Sequence, residues 1–254
     1  MTNVIAIGNQ KGGVAKTTTC LSLGAALAEL GQTVLLIDAD PQASLTLSLG
    51  IKPEELRRSL EDALLGSASL MSVSRESSVL GLDLVPAGRG LITVDKILYS
   101  RGNYEYNLKQ ALDALPPRVY DTILIDCPPT FATLTLNALT AADQLLIPVQ
   151  CEYYAARALR HVIELVKTVR TKTNPNLQYR ILVTMYDRRN NISRVILEQL
   201  QTGLGKALYN TIIEVDTKLR ESPVYNQPIT SYAPNTRGAE QYRALARELI
   251  NHAA

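Results

Sequence analysis

The stretch from Val4 to Leu27 constrains this chain more than any other. An apolar run, Val4-Ile5-Ala6-Ile7, leads into Lys11-Gly12-Gly13-Val14-Ala15-Lys16-Thr17-Thr18-Thr19, after which Leu21, Leu23, Ala25, Ala26 and Leu27 supply the apolar face of a helix. A strand, a glycine-bearing turn and a helix N-terminus make an anion site, because free backbone N–H groups and the helix dipole converge on one point. Lys16 adds a point charge for the β- and γ-phosphates of a nucleotide, and Thr17 offers a hydroxyl to magnesium. The strict phosphate-loop pattern would place glycines at positions 10 and 15, where Gln10 and Ala15 stand instead. The loop must therefore accept a Cβ at Ala15, which leads us to expect a negative φ there.

The rest of the chain repeats this rhythm. β-rich apolar runs at Val4-Ile7, Thr33-Ile37, Leu82-Val85, Thr122-Ile125, Gln144-Val149, Ile181-Thr184 and Thr211-Val215 are mostly separated by segments with helical periodicity. Helices are expected at Thr17-Leu30, Pro53-Leu65, Tyr104-Leu115, Ala155-Lys172, Ser193-Leu204 and Arg237-His252, the first closed by Gly31. Near-continuous apolar strands such as Val34-Leu35-Leu36-Ile37 suit a parallel sheet buried on both faces. The expected class is α/β, a doubly wound, mostly parallel sheet with helices on both faces. With 254 residues and 46% hydrophobic content, one domain spanning 1–254 is expected.

Two further strands end in acids. Leu36-Ile37 delivers Asp38-Ala39-Asp40-Pro41-Gln42, and Ile123-Leu124-Ile125 delivers Asp126-Cys127-Pro128-Pro129. The C-terminal edge of a parallel sheet is where such folds bind ligands, so these carboxylates face the phosphates and magnesium. Phosphoryl transfer to water depends on positioning and electrostatics: one acid holds the attacking water, and Asp126 acts on magnesium through water.

Together these segments resemble the ParA/MinD family of P-loop NTPases, whose deviant Walker A loop reads K-G-G-x-x-K-[ST]-[ST]. The resemblance implies that Gly12, Gly13, Val14, Ala15, Lys16, Thr17 and Thr18 bind the nucleotide. It further implies that Lys11 reaches across a homodimer to the partner's nucleotide, that Asp38 lies near the magnesium shell with Thr17 and Asp126, and that Asp40 positions the attacking water. Lys11, Lys16, Asp38 and Asp40 are thus the catalytic candidates, and ATP and Mg2+ the cofactors. The C-terminal third is similar to the ParA/Soj pattern, which implies that Met185, Asp187 and Asp216 lie near the base or ribose. Glu214 stands where relatives often carry proline.

Net charge alone announces no partner: 26 basic and 24 acidic residues leave +2. Residues 180–254 carry ten basic and seven acidic side chains, +3, which leaves −1 for the remainder. Arg188, Arg189, Arg194, Lys218 and Arg220 are candidates for a patch that contacts DNA phosphates without reading sequence. Cys20, Cys127 and Cys151 are scattered, fitting reduced thiols in a cytosolic protein, and two histidines far apart make a zinc site improbable. No segment has the ~18 apolar residues of a membrane span, and the segment from Tyr242 to Ala254 is too mixed in charge for a membrane anchor. The expectation is a cytoplasmic, nucleoid-associated ATPase that dimerises on ATP, binds DNA non-specifically, is stimulated by a ParB-like or cargo-adaptor protein, and has no membrane partner. With no extension ahead of the loop, it resembles the short, Soj-like forms. The alternatives are a MinD-like membrane-associated positioning ATPase and a metabolic P-loop enzyme; the cysteine placement argues against an iron–sulfur version of the latter.

Overall fold

The computed structural model describes residues 2–253. Along the chain run β1 (Asn3–Ile7), α1 (Lys16–Glu29), β2 (Val34–Asp38), α2 (Ser44–Ser48), α3 (Leu60–Leu64), α4 (Leu70–Val73), β3 (Arg75–Glu76), β4 (Leu82–Val85), α5 (Leu91–Tyr99) and α6 (Asn107–Asp113). Then come β5 (Thr122–Asp126), α7 (Thr133–Ala141), β6 (Gln144–Val149), α8 (Ala155–Lys172), β7 (Gln178–Tyr186), α9 (Asn191–Leu204), β8 (Leu208–Glu214), α10 (Thr217–Glu221), α11 (Ile229–Tyr232) and α12 (Arg237–Ala253). The eight strands form one sheet in the order β3-β4-β2-β5-β1-β6-β7-β8, parallel throughout except for the two-residue edge strand β3. Each expected strand is present, and the doubly wound α/β class holds.

Strand alternation divides the core into two layers. Leu35, Ile37, Ile123, Ile125 and Ile147 face one layer with α7 and α8, while Leu36, Leu124, Leu146 and Leu182 face the other with α1 and α12. Helix α1 lies very close to the sheet at Gly24, where a Cβ would come within 2.7 Å of Leu36 Cδ2. Its C-terminus closes at Gly31, with φ +85° and an N–H donating to the Ala28 carbonyl at 2.9 Å.

The strand order positions everything that follows. Strand β1 lies between β5 and β6, so the loop leaving β1 opens between the ends of those two strands. In register, Ile7 pairs with Asp126 and Asp38 also pairs with Asp126, which sets both acids level with the start of that loop.

Three expectations differ from the structure. Pro53-Leu65 is not one helix but a 3-10 turn at Pro53–Glu55 followed by α3. The reason is local: the Ser59 N–H donates to the Asp62 carboxylate at 3.0 Å, starting a new helix there. Tyr104-Leu115 likewise begins as a 3-10 turn before α6. Third, Ala15 does not have a negative φ; it sits in the left-handed region at φ 64° and ψ 35°, as the N-cap of α1. Gly13 also has a positive φ, +74°, so left-handed residues alternate along the loop and curl successive N–H groups toward one point. That curvature, and not the preference of alanine, sets the backbone at Ala15.

Candidate functional site

The loop between β1 and α1 is fixed from behind by three side chains that the sequence motifs do not single out. Asn9, buried, donates through Nδ2 to the Pro148 carbonyl at 2.7 Å and accepts from the Lys11 N–H at 3.0 Å. Thr184 Oγ1, at the end of β7, donates to the Val14 carbonyl at 3.0 Å. Gln150, just past β6, donates through Nε2 to the Gly13 carbonyl at 3.2 Å and to Met185 Sδ. Tying down these carbonyls turns the opposite faces of the peptides, with their N–H groups, toward the opening. Val14 itself is buried, so only its backbone is available to a ligand, while Gly12 and Gly13 are exposed and Ala15, Thr17 and Thr18 half-buried.

Lys16 is 8% exposed and rests its Nζ 3.4 Å from the Lys11 carbonyl. Burial lowers its pKa, against the opposing pull of Asp126 and Asp40. Thr17 Oγ1 donates to Asp126 Oδ2 at 2.7 Å. The other oxygen, Asp126 Oδ1, is buried without a hydrogen-bond partner. An unpartnered buried carboxylate oxygen is costly, and a cation or its water would satisfy it.

Asp38 is fully buried and well held: Oδ2 accepts from the Thr46 N–H at 2.8 Å and the Thr46 hydroxyl at 2.7 Å, and Oδ1 from the Asp40 N–H at 3.2 Å. The same Thr46 hydroxyl accepts from the Ala87 N–H at 2.9 Å, linking α2 to the segment after β4. Asp40 is nearly buried and accepts from the Gln42 N–H at 2.9 Å. Burial, and then mutual repulsion with Asp38, raises the Asp126 carboxyl well above its ordinary range, and burial raises that of Asp38. Two buried acids on adjacent strands thus form a site that calls for positive charge. Among the described residues no three His, Cys, Asp or Glu side chains converge on a metal position. That suits magnesium, which keeps several waters and binds through one or two carboxylates plus substrate phosphates. Thr17 and Asp126 are the residues that fit it. The Cys127 thiol is pushed up by burial, Cys20 likewise, and all three cysteines are free and buried.

Beside the loop opens a cleft of about 370 Å³ lined by Gly13, Ala15, Thr18, Met185, Asp216 and Tyr242, among others. Met185 takes φ 52° there. Asp216 lies in the wall, but its carboxylate is occupied: Oδ1 accepts from the Lys218 N–H and Oδ2 from the Gly238 N–H, each at 2.9 Å, capping α10 and the first turn of α12. Asp187 lies outside the lining and pairs with Arg189, whose hydrogen bonds hold its carboxyl down to about 2. Glu214, in the wall and buried, accepts from Arg188, Arg237 and Gln241.

Arg188, Arg189, Lys218 and Arg220 cluster past the ends of the adjacent strands β7 and β8, with Arg194 in the first turn of α9. Three of the five are ion-paired: Arg188 with Glu214, Arg189 with Asp187, and Lys218 with Glu221. Arg194 donates to Asn191 at 2.9 Å, and Arg220 is exposed at the cleft rim. Lys11, the loop's second lysine, turns away from the cradle to Gln150 Oε1 at 2.9 Å and to Glu152.

Comparison with known proteins gives a consistent picture. A family model described as an AAA domain matches residues 2–179. The chain is 39% identical to the chromosome partitioning protein ParA of Caulobacter vibrioides, covering 98% of this chain and 94% of that protein. It is 41% identical to the sporulation initiation inhibitor protein Soj of Bacillus subtilis, covering 98% of each. A crystal structure of cobyrinic acid a,c-diamide synthase from Mycobacterium smegmatis, with bound ATP analogue and magnesium, matches with a TM-score of 0.85 and 37% identity over 100% of this chain and 96% of that one.

Proposed function

We propose, from the premise that this chain belongs to that AAA-domain family and is a ParA/Soj-type P-loop ATPase, that it is an ATP-driven dimer switch. In the ATP state it grips DNA without reading sequence, and after hydrolysis stimulated by a ParB-like or cargo-adaptor protein it lets go, so positioning a chromosome, plasmid or protein cargo. On this reading the protein works in the cytoplasm on the nucleoid. The observation that carries the reading is the alignment of Asp38 and Asp126 at the ends of adjacent strands, against Lys16 and Thr17 at the mouth of the loop.

ATP brings the phosphate to be transferred, and Mg2+ neutralises its charge. The chain does the rest by positioning. The N–H groups from Gly12 to Thr18 and the start of α1 receive phosphate oxygens, and Lys16 places its charge on the β- and γ-phosphates. Thr17 and Asp126 hold the cation, and Asp38, clamped by Thr46, sits behind them. Asp40, one residue beyond the clamp, orients a water in line with the γ-phosphate. Lys11 serves the nucleotide of a second copy of the chain. The base rests in the cleft between Ala15 and Met185, with Asp216 shaping its wall. Arg188, Arg189, Arg194, Lys218 and Arg220 contact DNA phosphates, and Arg188, Arg189 and Lys218 exchange their present acidic partners for the duplex.

Titration calorimetry tests the nucleotide part. Lys16→Ala should abolish Mg–ATP binding that the wild type displays, and wild-type affinity would remove Lys16 from the site. The M. smegmatis neighbour, a synthase of a carboxylic acid's diamide with a bound ATP analogue, supports a second reading, an ATP-using enzyme acting on a carboxylic acid. ATP turnover that requires such a carboxylate and is indifferent to DNA would select it.

A further inference from the structure

The side chain of Lys11 has a same-chain partner that the proposed switch does not use. Its Nζ pairs with the Glu152 carboxylate and donates a second hydrogen bond to Gln150 Oε1 at 2.9 Å. Gln150 is not a passive neighbour, because its Nε2 reaches the Gly13 carbonyl and Met185 Sδ. One amide therefore touches the second lysine, the phosphate loop and the wall of the base cleft. The backbone adds to this: Lys16 Nζ rests on the Lys11 carbonyl, so both lysines of the loop are engaged around the same residue.

The direction of the Lys11 side chain decides what the arrangement does. The cation stands beside the phosphate loop but is engaged by the Glu152 carboxylate, and both residues line a cleft of about 370 Å³ that also includes Tyr154, Arg157 and His161. Both partners are substantially exposed, with side-chain exposures of 41% for Lys11 and 59% for Glu152. The pair is thus accessible to an incoming surface and weak enough to be exchanged.

We propose that Glu152, with Gln150, is a positioning residue that holds Lys11 within its own subunit until a second copy docks, and so sets the threshold for ATP-dependent dimerisation. The inference rests on the proposed nucleotide-sandwich dimer. Docking breaks the Lys11–Glu152 pair in each subunit and transfers both lysines to the opposing nucleotides. An exposed ion pair accounts for up to about fivefold in an equilibrium constant, and the symmetric dimer breaks two, so the pairs together weaken dimerisation by up to about 25-fold.

Analytical ultracentrifugation of the full chain with Mg2+ and the non-hydrolysable analogue AMPPNP, over a protein concentration series, tests this. Glu152→Gln removes the charge at constant shape on an exposed side chain and should lower the dimer dissociation constant by about two- to 25-fold. Glu152→Asp, which keeps the carboxylate, should stay nearer the wild type. A dissociation constant unchanged or raised in Glu152→Gln, while the wild type dimerises, would overturn the proposal. In a Lys11→Ala background Glu152→Gln should have no effect, and an equal gain there would also overturn it. A wild type that stays monomeric at every concentration would instead overturn the dimer reading itself, and the two failures are thereby distinguished.

Discussion

Thr46 is the most demanding test of the packing around the candidate acids. Its hydroxyl donates to buried Asp38 at 2.7 Å and accepts from the buried Ala87 N–H at 2.9 Å. Thr46→Val keeps the shape and removes both functions. A hydrogen bond to a charged group contributes about 1.5–3 kcal/mol, and an N–H left buried and unsatisfied costs about 1–3 kcal/mol. No cavity forms, so the two effects account for the whole expected loss, about 2.5–6 kcal/mol. Thr46→Ser retains the hydroxyl and forfeits one methyl, about 1 kcal/mol. Urea unfolding of nucleotide-free protein, followed by circular dichroism, measures both variants. A Thr46→Val loss below about 1 kcal/mol at an unchanged m-value, or an equal loss for Thr46→Ser, would refute the clamp.

Other expectations follow from single features. Ala15→Gly relieves a left-handed alanine at φ 64°; the relief of about 1–2 kcal/mol is partly offset by about 0.4–1 kcal/mol of added unfolded-state freedom. The variant should be slightly more stable than the wild type in thermal unfolding and should still bind Mg–ATP; a clear drop in stability would contradict the strain. Burial raises the Asp38 carboxyl from 3.8 to about 6, so between those values the folded chain holds more protons than the unfolded one. Its contribution to stability is therefore lost as pH rises through that window. Relative to Asp38→Asn, nucleotide-free wild type should lose melting temperature from about pH 4 to pH 6, and parallel curves would contradict this.

The strands were legible because parallel strands buried on both faces read as apolar runs, and the loop and acids because each follows such a run directly. Helix α7 was not, since Thr133-Leu134-Thr135-Leu136 alternates like a strand and the helix is buried on nearly all sides, which erases the 3.6-residue period. Gln150 and Thr184 escaped because they act on the loop's carbonyls from strand ends far away in sequence, and Asn9 because it ties the loop back to the Pro148 carbonyl; a motif records only what faces the ligand. Thr46 escaped for the same reason: nothing eight residues past Asp38 announces a hydroxyl aimed back at it. At position 15 the loop's curvature overrides the backbone preference of alanine, which a single residue type does not reveal. Asp216 was legible as a wall residue, but the spending of its carboxylate on two helix caps depends on α12 returning to α10, a tertiary fact.

The proposed switch stands or falls on a nucleotide-controlled grip on DNA. Fluorescence anisotropy with a non-specific duplex, comparing no nucleotide, ADP and ATP across a salt series, tests it most directly. Tight binding is expected with ATP alone, weakening steadily with salt, and lost in the Arg189→Glu, Lys218→Glu double variant while ATP binding persists. Binding that ignores the nucleotide, or no binding in any state, would contradict it.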